Sequence, residues 1–171
     1  MKKVKILTAC GICVALLFVS ACGGAKQFPQ DVTCETILNA ATDVEMHDNT
    51  HTYIKNKTEL DSFAMSLWAD GLFEECEEYD LLSDYAICYS NDNTTYEISV
   101  LKAKTNEDVE KLQSLLERRK QTLSEGDKAE YDPNFNLRMD DAKIIVEGDF
   151  VILLITPDNT AVLDAIEKLM E

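Results

Sequence analysis

Ala142-Lys143-Ile144-Ile145-Val146-Glu147-Gly148-Asp149-Phe150-Val151-Ile152-Leu153-Leu154-Ile155 decides the fold. Two apolar runs flank Gly148-Asp149, which reads as the turn of a hairpin. The second run, from Phe150, is apolar at every position. That is the pattern of a central strand covered on both faces, or covered on one and closed by a neighbour on the other. Thr156-Pro157-Asp158 then starts a helix, with Pro157 suited to its first turn and Val162, Ile166 and Leu169 as its inner stripe.

The same order occurs upstream. Tyr85, Ile87 and Tyr89 alternate, Asn91-Asp92-Asn93 is turn material, and Tyr96, Ile98 and Val100 alternate again up to Lys104. Thr105-Asn106-Glu107-Asp108 resembles a capping box, and Val109, Leu112, Leu115 and Leu116 line one face of the helix it opens. A polar loop follows through Tyr131-Asp132-Pro133-Asn134. Toward the N-terminus, residues 31–43 and 58–69 read as helices, the second stopped by Asp70-Gly71. Residues 43–56 are polar and break the pattern, and residues 72–82 are acidic and ambiguous. The expected fold is α+β: an antiparallel sheet of about four strands from two strand-strand-helix units, helices on one face, and N-terminal helices before it.

The first residues are of another kind. Three lysines within Met1 to Lys5 precede an apolar run from Ile6 to Val19, shorter than the roughly 20 residues that span a bilayer as a helix. Val19-Ser20-Ala21-Cys22 fits a bacterial lipobox at all four positions, with Cys22 as the thiol that receives diacylglycerol. An ordinary secretory signal cut after Ala21 is the alternative, and the small residues before Cys22 with Gly23-Gly24 after it favour the lipoprotein. The expected organisation is a signal peptide over 1–21, a lipidated N-terminus and tether over 22–30, and one globular domain over 31–171. Two or more acyl chains hold a protein firmly at a membrane where one holds it marginally. The expected location is the cell membrane, lipid-anchored and facing outside the cytoplasm.

Charge narrows the partners. The chain has 32 acidic and 16 basic residues, a formal −16. Removal of 1–21 takes away three lysines and no acid, leaving 13 basic residues and a formal −19. Phosphate-backbone binding needs clustered Lys and Arg, so nucleic acid is not an expected partner. Beside anionic lipid such a domain is repelled within a Debye length, about 8 Å at physiological salt, and hangs from its anchor. The six cysteines reduce to Cys34, Cys76 and Cys88 once Cys10 and Cys13 leave and Cys22 is acylated. One disulfide with a free thiol, or three buried thiols, both fit that count.

Tyr96 to Lys104, Glu107-Asp108-Val109 into a helix carrying Arg118-Arg119, Tyr131, the Ala142 to Val151 hairpin and Ile155-Thr156-Pro157-Asp158 together resemble a family of small bacterial lipoproteins, domain of unknown function forty-three fifty-eight. The likeness is good from about Tyr85 onward and loose before it. It implies a lipobox-bearing envelope protein and no catalytic residue, ligand or cofactor.

Several constellations invite chemistry. His47 and His51 are four apart, which would suit a metal on a helix, yet their segment is too polar and broken for one and supplies no third ligand. Glu74-Glu75-Cys76-Glu77-Glu78-Tyr79-Asp80 lacks the alternating acids and central glycine of a calcium loop and reads as a solvated face. Arg118-Arg119-Lys120 is the basic triplet of the mature chain, with Arg118 and Arg119 as candidate contacts for an anion. A helix C-terminus that welcomes cations is the plainer account of the triplet. No glycine-rich phosphate loop is present, and no cofactor is expected. The expected role is a non-enzymatic binding or accessory module for an envelope protein or ligand. The alternatives are an envelope hydrolase using paired carboxylates and a cation-binding module.

Overall fold

The computed structural model describes residues 27–45, 51–92 and 94–170. The signal, Cys22 and His47 lie outside them. Helix α1 (Cys34–Glu45) is followed by strand β1 (His51–Ile54) and helix α2 (Ser62–Asp70). After a 3₁₀ turn over Glu77–Leu81 come β2 (Leu82–Ser90), β3 (Glu97–Ala103) and helix α3 (Val109–Glu125). A further 3₁₀ turn, Asp127–Glu130, leads into α4 (Phe135–Asp141), then β4 (Lys143–Glu147), β5 (Phe150–Ile155) and α5 (Asn159–Glu167).

The strands form one antiparallel sheet in the order β1-β2-β3-β5-β4, so the α+β class holds. It has five strands where about four were expected. The extra one is β1, four residues inside the stretch read as a polar break. It pairs Ile54 with Ile87 and buries Ile54 on the sheet. β5 lies between β3 and β4 with all six residues buried, as its unbroken apolar run requires.

Helices cover both faces, which corrects the one-face expectation. On one side α1 and α5 place Ile37, Leu38, Val162 and Ile166 against Ala86, Cys88, Ile98, Ile152 and Leu154. On the other, α2, α3 and α4 place Met65, Trp68, Leu112, Leu115, Leu116 and Phe135 against Tyr85, Ile87, Leu101, Val151 and Leu153. Odd and even positions of the same strands serve the two cores, because successive side chains of a strand point to opposite faces. The helices of the two strand-strand-helix units therefore sit on opposite sides of one sheet.

Local rules account for the helix ends. The capping box at Thr105 and Asp108 is present in both directions. Asp61 accepts the Ala64 amide at 2.8 Å to open α2, and Gly71, at φ 71°, closes it in the left-handed conformation. Asp158 caps α5 through the amides of Thr160 and Ala161, one residue beyond Pro157. α1 begins later than expected, because Thr33, and not Asp31, accepts the Thr36 amide. α3 continues to Glu125, so Arg118 to Lys120 sit inside it and not at its end. Among the described residues no helix is long and apolar enough to cross a membrane.

Candidate functional site

Arg119 lies on the stripe of α3 that also carries Leu112, Leu115 and Leu116, three to seven residues before it, so its side chain enters the layer between α3 and the sheet. It meets Glu97, the first residue of β3. Arg119 Nε and Nη2 donate to Glu97 Oε2 at 3.0 and 2.6 Å, and Ser99 Oγ donates to Oε1 at 2.8 Å. The two side chains are 13% and 2% exposed, so this is a buried ion pair with the fork geometry that guanidinium and carboxylate share. Nη1 donates to the Trp68 carbonyl at 2.6 Å, and the guanidinium carbon lies 5.2 Å from the Trp68 ring centroid.

Arg118 turns the other way. Its Nε and Nη2 hold Asp70 at 3.0 and 3.3 Å, and Nη1 holds Glu78 at 3.0 Å. The triplet thus does serve a helix C-terminus, but that of α2: Arg119 satisfies a carbonyl of its last turn and Arg118 binds its last side chain. Both candidate anion contacts carry internal carboxylates. Burial pushes the Glu78 carboxyl up, but the bond and charge of Arg118 outweigh it and hold Glu78 below its usual range.

Three hollows surround these arginines. An acidic cleft of about 630 Å³ is lined by Asp70, Glu74, Glu75, Glu77, Glu78 and Glu125, with Arg118 in its wall. Much of the acidic run lies here, with its Glu78 and Asp70 occupied by an internal cation. Two smaller cavities share Tyr89 and Arg119. One of about 300 Å³ is mainly apolar, walled by Ile54, Leu60, Ala64, Leu67 and Trp68. The other, of about 260 Å³, also has a largely apolar wall but includes the polar and charged side chains of Ser90, Thr95, Glu97 and Lys128. Burial, and then the charge of Arg119, lower the Lys128 pKa, so two cations face the same small space. Lys128 Nζ donates to the Thr94 carbonyl at 2.9 Å.

Cys34, Cys76 and Cys88 are free and buried, which selects three thiols over a disulfide. Burial pushes Cys88 up to about 12 and Cys76 to about 11, and raises Cys34 as well. His51, in β1, packs edge-on against Tyr96, the residue before β3, with ring centroids 4.7 Å apart. Among the described residues no three His, Cys, Asp or Glu side chains gather to hold a metal.

Residues 78–156 match the family model described as Domain of unknown function (DUF4358). The DUF4358 span runs from the first 3₁₀ turn to the residue after β5. It holds both arginines, Glu78, Glu97 and Lys128, while Trp68 and the rest of α2 fall outside it. Neither the curated proteins nor the solved structures provide a match.

Sequence reasoning missed Glu97, Trp68, Tyr89 and Lys128. A signal for the first was available: an arginine on the apolar stripe of α3 demands a buried acid, and Glu97 precedes the apolar alternation of β3. Nothing in the sequence pointed to Lys128.

Proposed function

We propose that this protein is a lipid-anchored envelope lipoprotein that acts as a non-enzymatic binding module. The lipobox Val19-Ser20-Ala21-Cys22 carries the anchoring half of the reading. A tether of six residues from Cys22 to Gln27 reaches about 20 Å when extended. It enters the domain at Phe28, which packs edge-on against Phe150 in the layer of α1 and α5. The Arg119 cavities belong to the opposite layer, so an anchor at Phe28 leaves them clear of the chain's own attachment.

The binding half rests on how the reactive groups are held. The thiols are buried and raised in pKa, the wrong direction for nucleophiles. Glu78, in the acidic cleft, is held ionised, the wrong direction for the general acid of a hydrolase. Cavities walled by fixed ion pairs and aromatic rings suit recognition.

Metabolic labelling with a fatty-acid analogue tests the anchor: the natural chain takes label and fractionates with membranes, and Cys22→Ala does neither. Equal labelling of the variant would refute it. Cross-linking in native membranes with identification of the captured neighbour tests the module.

A further inference from the structure

The two cavities share Tyr89 and Arg119 and both have largely apolar walls, but they differ in charged side chains: one has Arg119 alone, the other adds Lys128 and Glu97, and that difference specifies a ligand. We infer that they form one binding site for a small organic carboxylate with an apolar body, the body between Trp68 and Leu67 and the carboxylate toward Lys128 and Arg119. The site deepens the proposed binding role by naming its ligand class.

Four observations carry it. The volumes, about 300 and 260 Å³, together fall in the range of small-molecule pockets. Arg119 uses three of its five N–H donors on Glu97 and Trp68, so a hydrogen on each terminal nitrogen remains for another acceptor. Glu97 balances Arg119, and Lys128 is then a second cation beside a buried pair, with a neutral backbone carbonyl as its hydrogen-bond acceptor. Asp92 and Asp132 act on Lys128 only at longer range than an ion pair, and burial still lowers its pKa, so an incoming anion supplies the direct charged partner that Lys128 lacks among the described residues. Finally, the Trp68 indole Nε1 is buried and has no acceptor among the described residues. In a chain of formal charge −16, a cavity whose lining holds two cations against one carboxylate, Glu97, runs against the general field, which disfavours anions unless the local geometry selects them.

Trp68 is the chain's one tryptophan, so its emission reports on this wall alone. The full chain in phosphatidylcholine vesicles is titrated with hexanoate and with N-acetyl-L-phenylalaninate, and with hexanol and hexylamine as head-group controls. At least one carboxylate should give a saturable change with a midpoint below about 1 mM. Which one does so separates a short acyl acid from an N-acyl amino acid. Hexanol and hexylamine should give none. Lys128→Gln should weaken binding about tenfold with the melting transition retained, because a charge-assisted bond is lost. Ala64→Phe, which fills the apolar half, should abolish binding of either acid. Equal response to hexylamine, no saturation at ten times that concentration, or unchanged affinity in both variants would overturn the site. The anchor and the cross-linked neighbour are read without this cavity, so failure here is distinct from failure of the proposed role.

Discussion

Arg119 of α3 grips both carboxylate oxygens of Glu97 of β3, with Nε on Oε1 and Oε2 and Nη2 on Oε2, and the same guanidinium reaches the Trp68 carbonyl at the end of α2. One side chain thereby joins a central strand to two helices. Loss of one partner leaves the other as an uncompensated buried charge, whereas loss of both does not. Glu97→Gln or Arg119→Met should each reduce unfolding stability by about 3–5 kcal/mol in urea titrations. The double variant Glu97→Leu with Arg119→Met should be less destabilised than the two single effects combined, short of neutral by about 1 kcal/mol for the lost bond to Trp68. Simple additivity of the two would show that the pair is not a unit.

Acid should act through Asp132. Its carboxylate accepts the Thr95 amide at 2.7 Å and the Asn134 amide at 2.9 Å, with Arg138 3.3 Å away. Burial alone would raise its pKa, but these bonds and Arg138 outweigh that and leave it lowered. A carboxyl depressed in the folded state contributes stability that is complete above its unfolded value, near 3.8, and that drains away as pH falls through the folded value. Urea midpoints should therefore drop from pH 4 downward in the natural protein. Asp132→Asn should be less stable at pH 7 and should show a shallower decline over the same acid range. A parallel decline in both proteins would assign the acid sensitivity elsewhere.

Which features were readable from the residues follows from how local their causes are. β5, the capping box at Thr105 and the stop at Gly71 depend on neighbours in sequence, and all three are where local rules put them. β1 depends on Ile54 finding Ile87 across the sheet, and four residues supply too little pattern to announce that. α4 has just Phe135 and Met139 as buried anchors, one turn apart, inside a stretch that reads as polar loop. The second helical layer was hidden by Ala86 and Cys88, small residues between tyrosines and isoleucines that look like an outward face until α1 covers them. Glu97 misled in the opposite way: an acid in a strand suggests solvent, and its partner lies 22 residues away on α3. The cavities lie further from reach still, since Trp68, Tyr89, Arg119 and Lys128 converge through tertiary packing alone.

The thiols offer a kinetic test of the core. Cys34 and Cys88 are fully buried, Cys76 nearly so, and burial raises all three pKa values. At pH 7.5 the natural fold should react with a disulfide reagent at a rate set by opening, with Cys76 first, and all three should react at once in denaturant. The linkage has a sign as well. A thiol whose pKa is raised on folding contributes stability that is complete below its unfolded value, near 9.0, and is lost as pH climbs toward the folded one. Alkaline titration should destabilise the natural protein above pH 9, and Cys88→Ala should flatten that slope. Immediate labelling of the native state would contradict the buried assignment.

Arg118 should behave unlike its neighbour. It is 42% exposed, so its bonds to Asp70 and Glu78 are partly screened and their contribution is smaller than that of a buried pair. Arg118→Gln should cost about 1 kcal/mol at low salt, and less in high salt as screening removes the attraction it lost. The substitution also leaves Asp70, Glu78 and Glu125 facing one another across the acidic cleft without their cation. Like charges raise carboxyl pKa values, so Glu78 should move up from its lowered position, visible in the pH dependence of its side-chain carboxyl carbon resonance. Unchanged titration of Glu78 would mean that its bonds to the backbone, and not Arg118, hold it ionised.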